Sequence, residues 1–136
     1  MQIAIKTDGA SRGNPGPAAY GYVIYRDGKI FQKEGKTLGV TTNNIAEYTA
    51  LKEALFFLAE SGIVEEVDEL LIQADSQLMI RQLLGQYKVK HPGIKEIYTQ
   101  INKLLEEYSN VRFEHIRREF NKEADSLCNM ALDGLI

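Results

Sequence analysis

The chain has 136 residues, room for one domain over residues 1–136 and not for a second core or a long linker. Its composition, 44% hydrophobic and 26% charged, excludes a disordered tail, and its formal net charge of −3 argues against a protein that simply coats phosphates. One cysteine excludes an internal disulfide framework, two histidines exclude a zinc constellation, and the longest apolar run, Ala54 to Ala59, is far too short to span a membrane.

The first element reads as a strand, because Ile3, Ile5 and Thr7 alternate with Ala4, Lys6 and Asp8. Gly9 to Pro17, rich in glycine and proline, reads as a loop. Tyr20–Arg26 and Lys29–Lys36 flank Asp27-Gly28, a two-residue hairpin signal, so the opening third is expected to be an antiparallel meander. From Asn44 to Ser61 the period changes: Ile45, Tyr48, Leu51, Leu55 and Leu58 recur at helical steps, and Gly62 stands where a left-handed cap belongs. Glu69–Ala74 fits a buried strand, followed by a helix from Ser76 to about Gln86. Pro92 opens a third helix whose stripe runs from Ile94 through Ile97, Ile101, Leu104 and Leu105 to Tyr108. Val111–Arg117 reads as a fifth strand, with His115 on its Val111/Phe113 side as a structural histidine, and Asn121–Asp133 as the last helix. Strands that each follow a helix are joined by right-handed crossovers, so the order predicts an α/β fold with a mixed sheet flanked by helices.

Four acids sit at element ends. Asp8 closes strand one, Glu47 lies in the first turn of the first helix, Asp75 ends strand four, and Asp125 lies early in the last helix. Sites in open α/β sheets gather outside the carboxyl ends of strands. Each acid also has a purely structural reading. Asn44 and Glu47 have the spacing of a capping box, Asp75 could cap the second helix, Asp8-Gly9 could be a turn, and Asp125 could answer a helix dipole.

The residues around these acids resemble a known family. Thr7-Asp8-Gly9-Ala10-Ser11-Arg12-Gly13-Asn14-Pro15-Gly16, Thr41-Thr42-Asn43-Asn44-Ile45-Ala46-Glu47, Ala74-Asp75-Ser76-Gln77 and Arg118-Glu119-Phe120-Asn121-Lys122-Glu123-Ala124-Asp125 are similar, in this order, to ribonuclease H of the type 1 class. The resemblance covers almost the whole chain. It implies a five-stranded mixed sheet of order 3-2-1-4-5 and an endonuclease that cuts the RNA strand of an RNA–DNA hybrid, leaving 5′-phosphate and 3′-hydroxyl ends. It further implies that Asp8, Glu47, Asp75 and Asp125 are catalytic, metal-binding acids holding two Mg2+ ions, with Mn2+ as a substitute. Asn14, Thr42, Asn43, Asn44 and Gln77 fall on positions that contact the nucleic acid.

That chemistry suits these residues. Mg2+ prefers hard oxygen ligands, and two ions about 3.5–4 Å apart activate water and stabilise the leaving oxygen of a phosphodiester. Two like charges 4 Å apart repel by about 4 kcal/mol at an effective dielectric of 20, so a cluster of four carboxylates calls for cations. Two such ions would also carry the formal −3 past neutrality, which meets the charge objection. Amides that both donate and accept suit the 2′-hydroxyl that distinguishes RNA from DNA. Thr42, beside a helix N-terminus, could join its amides around a phosphate.

The chain departs from the family pattern in two places. The stretch from Arg117 to Ala124 lacks the histidine that many members carry there, leaving Arg118 either to hold the phosphate or to pair with Glu119 or Glu123. Gly85 to Pro92, with Lys88 and Lys90, is too short for a basic helical handle, so affinity for a hybrid is expected to be modest and salt-sensitive. Leu51, Phe56, Leu58, Ile97, Ile101 and Leu104 read as core, and Cys128 as a small buried apolar residue. Two rival readings remain: a catalytically silent RNA- or hybrid-binding module, and a nuclease acting on double-stranded RNA. A monomer in the cytoplasm, partnered by RNA–DNA hybrid and by no membrane, completes the expectation.

Overall fold

The computed structural model describes residues 1–136 and holds the expected elements in the expected order. They are β1 (Gln2–Ser11), β2 (Gly16–Arg26), β3 (Lys29–Thr41), α1 (Asn43–Ser61), β4 (Glu69–Ala74), α2 (Gln77–Leu83), α3 (Pro92–Leu105), β5 (Val111–His115) and α4 (Lys122–Leu132). Short 3-10 turns occupy Val64–Glu66 and Arg118–Phe120. The sheet order is β3-β2-β1-β4-β5. The first three strands are antiparallel, and β4 and β5 run parallel to β1. Asp27 and Gly28, with φ of 49° and 85°, make the tight turn between β2 and β3.

The two faces of β1 serve different helices. Ile3 and Ile5 join Tyr22, Ile24, Leu70 and Ile72 in the main core, where Tyr48, Leu51, Leu55 and Leu58 of α1 pack on the sheet and α3 packs on α1. Burial of each such side chain contributes about 1.5–3 kcal/mol. The opposite face of β1–β3 is covered by α4, through a small cluster of Ala19, Cys128 and Ala131. No helix is long and apolar enough to cross a membrane.

Several boundaries differ from the sequence reading. The segment expected to be a loop from Gly9 to Pro17 is largely strand: β1 continues through Ser11 and β2 starts at Gly16, with Asp8↔Gly21 and Ser11↔Ala18 still in register. Gly9 is needed there for contact, because a Cβ on it would lie 2.2 Å from the Glu47 backbone nitrogen. β3 runs five residues past Lys36, pairing Thr41 with Gly16. α2 stops at Leu83 and α3 at Leu105, short of Gln86 and Tyr108, and β5 stops at His115 because the chain turns into the 3-10 segment. Phe56, expected in the core, is 40% exposed on the outer side of α1.

Gly9→Ala is expected to cost about 3 kcal/mol or more, because the clash is with backbone that cannot move aside. A thermal melt checks this: a fall in Tm of roughly 10 °C or more is expected.

Candidate active site

The parallel pairing of β1 with β4 runs in register to Thr7↔Ala74 and then ends. The next residues on the two strands are Asp8 and Asp75, so the sheet itself sets these acids side by side at its carboxyl edge. The α1 backbone lies hard against Gly9, which brings Glu47 to the same place. On the other face, a Cβ at Gly21, opposite Asp8, would lie 2.5 Å from the Ala124 carbonyl. That close approach brings Asp125, the next residue along α4, to Asp8. The carboxylate oxygens of Asp8, Glu47 and Asp75 lie within 4.8 Å of one another.

These acids line a cleft of about 480 Å³ together with Asp125, Arg118, Asn43, Asn44, Ser11 and Ser76. Burial, then the neighbouring Asp75 and Asp125 carboxylates, push the Asp8 carboxyl up to about 8. Burial raises Glu47 to about 7, against a lowering hydrogen bond from Ser76; the Asp75 charge adds to the rise and Arg118 opposes it. A cluster of hard oxygens whose ionisation is this unfavourable fits a small divalent cation, which would replace the protons.

The helix caps are made by other residues. Thr42 Oγ1 accepts from Ile45 N at the start of α1, so Asn44 and Glu47 form no capping box. Ser76 Oγ accepts from Met79 N at the start of α2, so Asp75 is no cap either. Both acids are left free for other work.

Of the residues expected to meet nucleic acid, Asn43 and Asn44 line the cleft. Asn43 accepts from Ser11 N (2.7 Å) and Ser11 Oγ (2.9 Å), while its own backbone N–H donates to Asn14 Oδ1 (3.1 Å). Both amide oxygens are therefore engaged within the protein. Asn43 and Asn14 offer donor groups outward, where the sequence reading gave them both functions. Thr42 is spent as a cap, and Gln77 is an exposed residue in the first turn of α2, outside the cleft lining.

Arg118 lines the cleft near Glu47, and the ion pair with Glu119 is made instead by Arg117, at 3.5 Å. His115 is exposed and not buried in the sheet; its Nε2 lies 3.2 Å from the Asp75 carbonyl. Lys88 and Lys90 are exposed between α2 and α3. Cys128 is fully buried, and burial followed by the nearby acids pushes its thiol up, as suits an inert core residue. Three contributors escaped the sequence reading: Ser11, Ser76 and Asn121. Each stands within a quoted motif, but only the fold reveals what it touches.

A mixed sheet of this order, with acids converging at the carboxyl ends of its central strands, defines the ribonuclease H-like class of proteins. A family model described as reverse transcriptase-like matches residues 6–131. The ribonuclease HI of Halobacterium salinarum is 42% identical over 127 residues, covering 93% of this chain and 62% of that protein. A ribonuclease H of Clostridium botulinum is 32% identical over 151 residues, covering 97% and 96%. The crystal structure of LC11-RNase H1 in complex with RNA/DNA hybrid superposes with a TM-score of 0.91 at 44% identity, covering 98% of each chain. The chain belongs to the type 1 ribonuclease H family. It spans between 36% and 62% of the length of the first curated relatives it matches.

The raised carboxyls make metal-free stability depend on pH. Folded Asp8 keeps its proton to about pH 8, whereas an ordinary aspartate releases it near 3.8. The folded state therefore binds more protons between those values, and stability falls as pH rises through that window. Chemical denaturation in chelator from pH 4 to 9 should show this fall, and Asp8→Asn should flatten it.

Proposed function

We propose that this chain is an endonuclease that hydrolyses the RNA strand of RNA–DNA hybrids with the help of two divalent ions. The observation that carries the reading is the convergence of Asp8, Glu47 and Asp75 within 4.8 Å, on a fold shared with ribonucleases H. A relative of closely similar fold binds RNA/DNA hybrid, which supports that substrate class.

Asp8, Glu47 and Asp75 would hold one ion, and Asp125 would complete a second position beside Asp8 and Asp75. When bound, Mg2+ or Mn2+ supplies activated water and a counter-charge for the leaving 3′-oxygen. The protein's own groups do the rest. Ser76 lies with Glu47 in the cleft lining, where its hydroxyl favours the ionised carboxylate. Arg118, a permanent cation at the mouth, receives a phosphate where many family members use a histidine. The Asn43 amide, oriented by Ser11, offers donor hydrogens to a 2′-hydroxyl or a minor-groove acceptor. A cytoplasmic setting is part of the proposal; it rests on the lone, buried Cys128 and the lack of any membrane-crossing helix.

The substrate panel tests this directly: labelled RNA–DNA hybrid, double-stranded RNA, single-stranded RNA and DNA, each with and without Mg2+. Cleavage of the hybrid's RNA strand, only with Mg2+, is expected. Equal cleavage of double-stranded RNA would favour the broader nuclease, and binding without cleavage would favour a silent module. Asp75→Asn should abolish cleavage while keeping or raising metal-free Tm. Arg118→Ala should lose turnover with Tm unchanged.

A further inference from the structure

Asn121 lies just before α4 and is 1% exposed, one of few buried polar residues in the chain. Its Nδ2 donates to the Thr7 carbonyl at 2.8 Å and lies 3.5 Å from Asp75 Oδ2, a long contact. Both neighbours are acceptors, so the amino end of the amide must face them. That leaves Oδ1 buried without a partner.

Such an arrangement is costly, and an unpaired buried polar atom asks for a reason. An apolar side chain of similar size would avoid the cost but could not donate. The place where the donors fall supplies the reason. β1 and β4 stop pairing at Thr7↔Ala74, and the Asn121 amide takes the Thr7 carbonyl at that fork. Its backbone extends the reach: Asn121 N donates to the Arg118 carbonyl at 2.9 Å, and Asp125 N donates to the Asn121 carbonyl at 3.1 Å. One residue thus touches the segments that carry Asp8, Asp75, Arg118 and Asp125.

We propose that Asn121 is a positioning residue, setting the spacing between the Asp75 carboxylate and the strand that carries Asp8 so that the cleft is shaped for cations before they arrive. The inference rests on the metal-dependent reading above. It assigns Asn121 no contact with substrate or with the reacting atoms. Lys6 makes a useful comparison, because its Nζ donates to the Phe120 carbonyl and so anchors the same turn without touching Asp75.

The test is a Mg2+ titration followed by thermal melting without nucleic acid, beside cleavage kinetics on the hybrid, for wild type, Asn121→Ala, Asn121→Leu and Lys6→Ala. The leucine variant fills the volume and keeps the position testable should the alanine variant fail to fold. Removal of the amide is expected to raise the Mg2+ midpoint by about 10- to 100-fold and to lower kcat, leaving KM for the hybrid within about twofold. Lys6→Ala should change neither the midpoint nor kcat. A folded Asn121 variant with the wild-type Mg2+ midpoint would overturn the proposal, as would a Lys6→Ala variant that reproduces the shift. A wild-type melt indifferent to Mg2+ would instead overturn the metal reading itself, and this inference with it.

Discussion

Carboxylates repel one another, and the site exists because the fold holds three of them within 4.8 Å regardless. The holding is done by backbone. Parallel register places Asp8 beside Asp75, and the absence of a Cβ at Gly9 lets α1 press Glu47 against the same edge. Gly21 does the same for α4 on the other face. Side-chain flexibility cannot relieve a crowding that is built into strand register and helix–sheet contact. Burial first, and the neighbouring carboxylates after it, leave carboxyls that hold their protons far above the ordinary range, at about 8 for Asp8 and about 7 for Glu47. A divalent cation would relieve that repulsion, and the sheet and its core hold the acids in a cluster that fits one.

The same economy governs the ends of the helices. Asn44 with Glu47, and Asp75, have the sequence spacing of caps, yet Thr42 and Ser76 take the capping hydrogen bonds. Ser76 accepts from Met79 N and stands beside Glu47 in the cleft lining. Asn43 joins Ser11 to the start of α1, so the glycine-rich end of β1 and the first turn of the helix form one polar wall. Arg117 takes the surface ion pair with Glu119, leaving Arg118 facing the acids.

Much of this was legible from the residues. The change from period two to helical spacing at Asn44, the Asp27-Gly28 turn and Pro92 at a helix start all report local physics, and local physics decided those elements. The four acids could be named because their motifs resemble a family's, whereas each alone had a structural reading: a capping box for Glu47, a cap for Asp75, a turn for Asp8 and a helix dipole for Asp125. What the sequence did not disclose depends on contacts between distant segments. Gly9 to Ser11 looked like loop because glycine weakens isolated strands, but α1 needs the missing side chain. Phe56 looked like core by its apolarity, yet the helix turns it outward. Asn121 and His115 gained their places through Thr7 and Asp75, residues 40 or more positions away, which no spacing pattern reports.

The most direct measurement is diffraction from a crystal soaked in Mn2+, read by its anomalous signal. Ions bound among the oxygens of Asp8, Glu47, Asp75 and Asp125, with the carboxylates close to their present positions, are the expected result. A map with no manganese in this cleft at saturating concentration would contradict the claim that the crowded acids exist to hold metal.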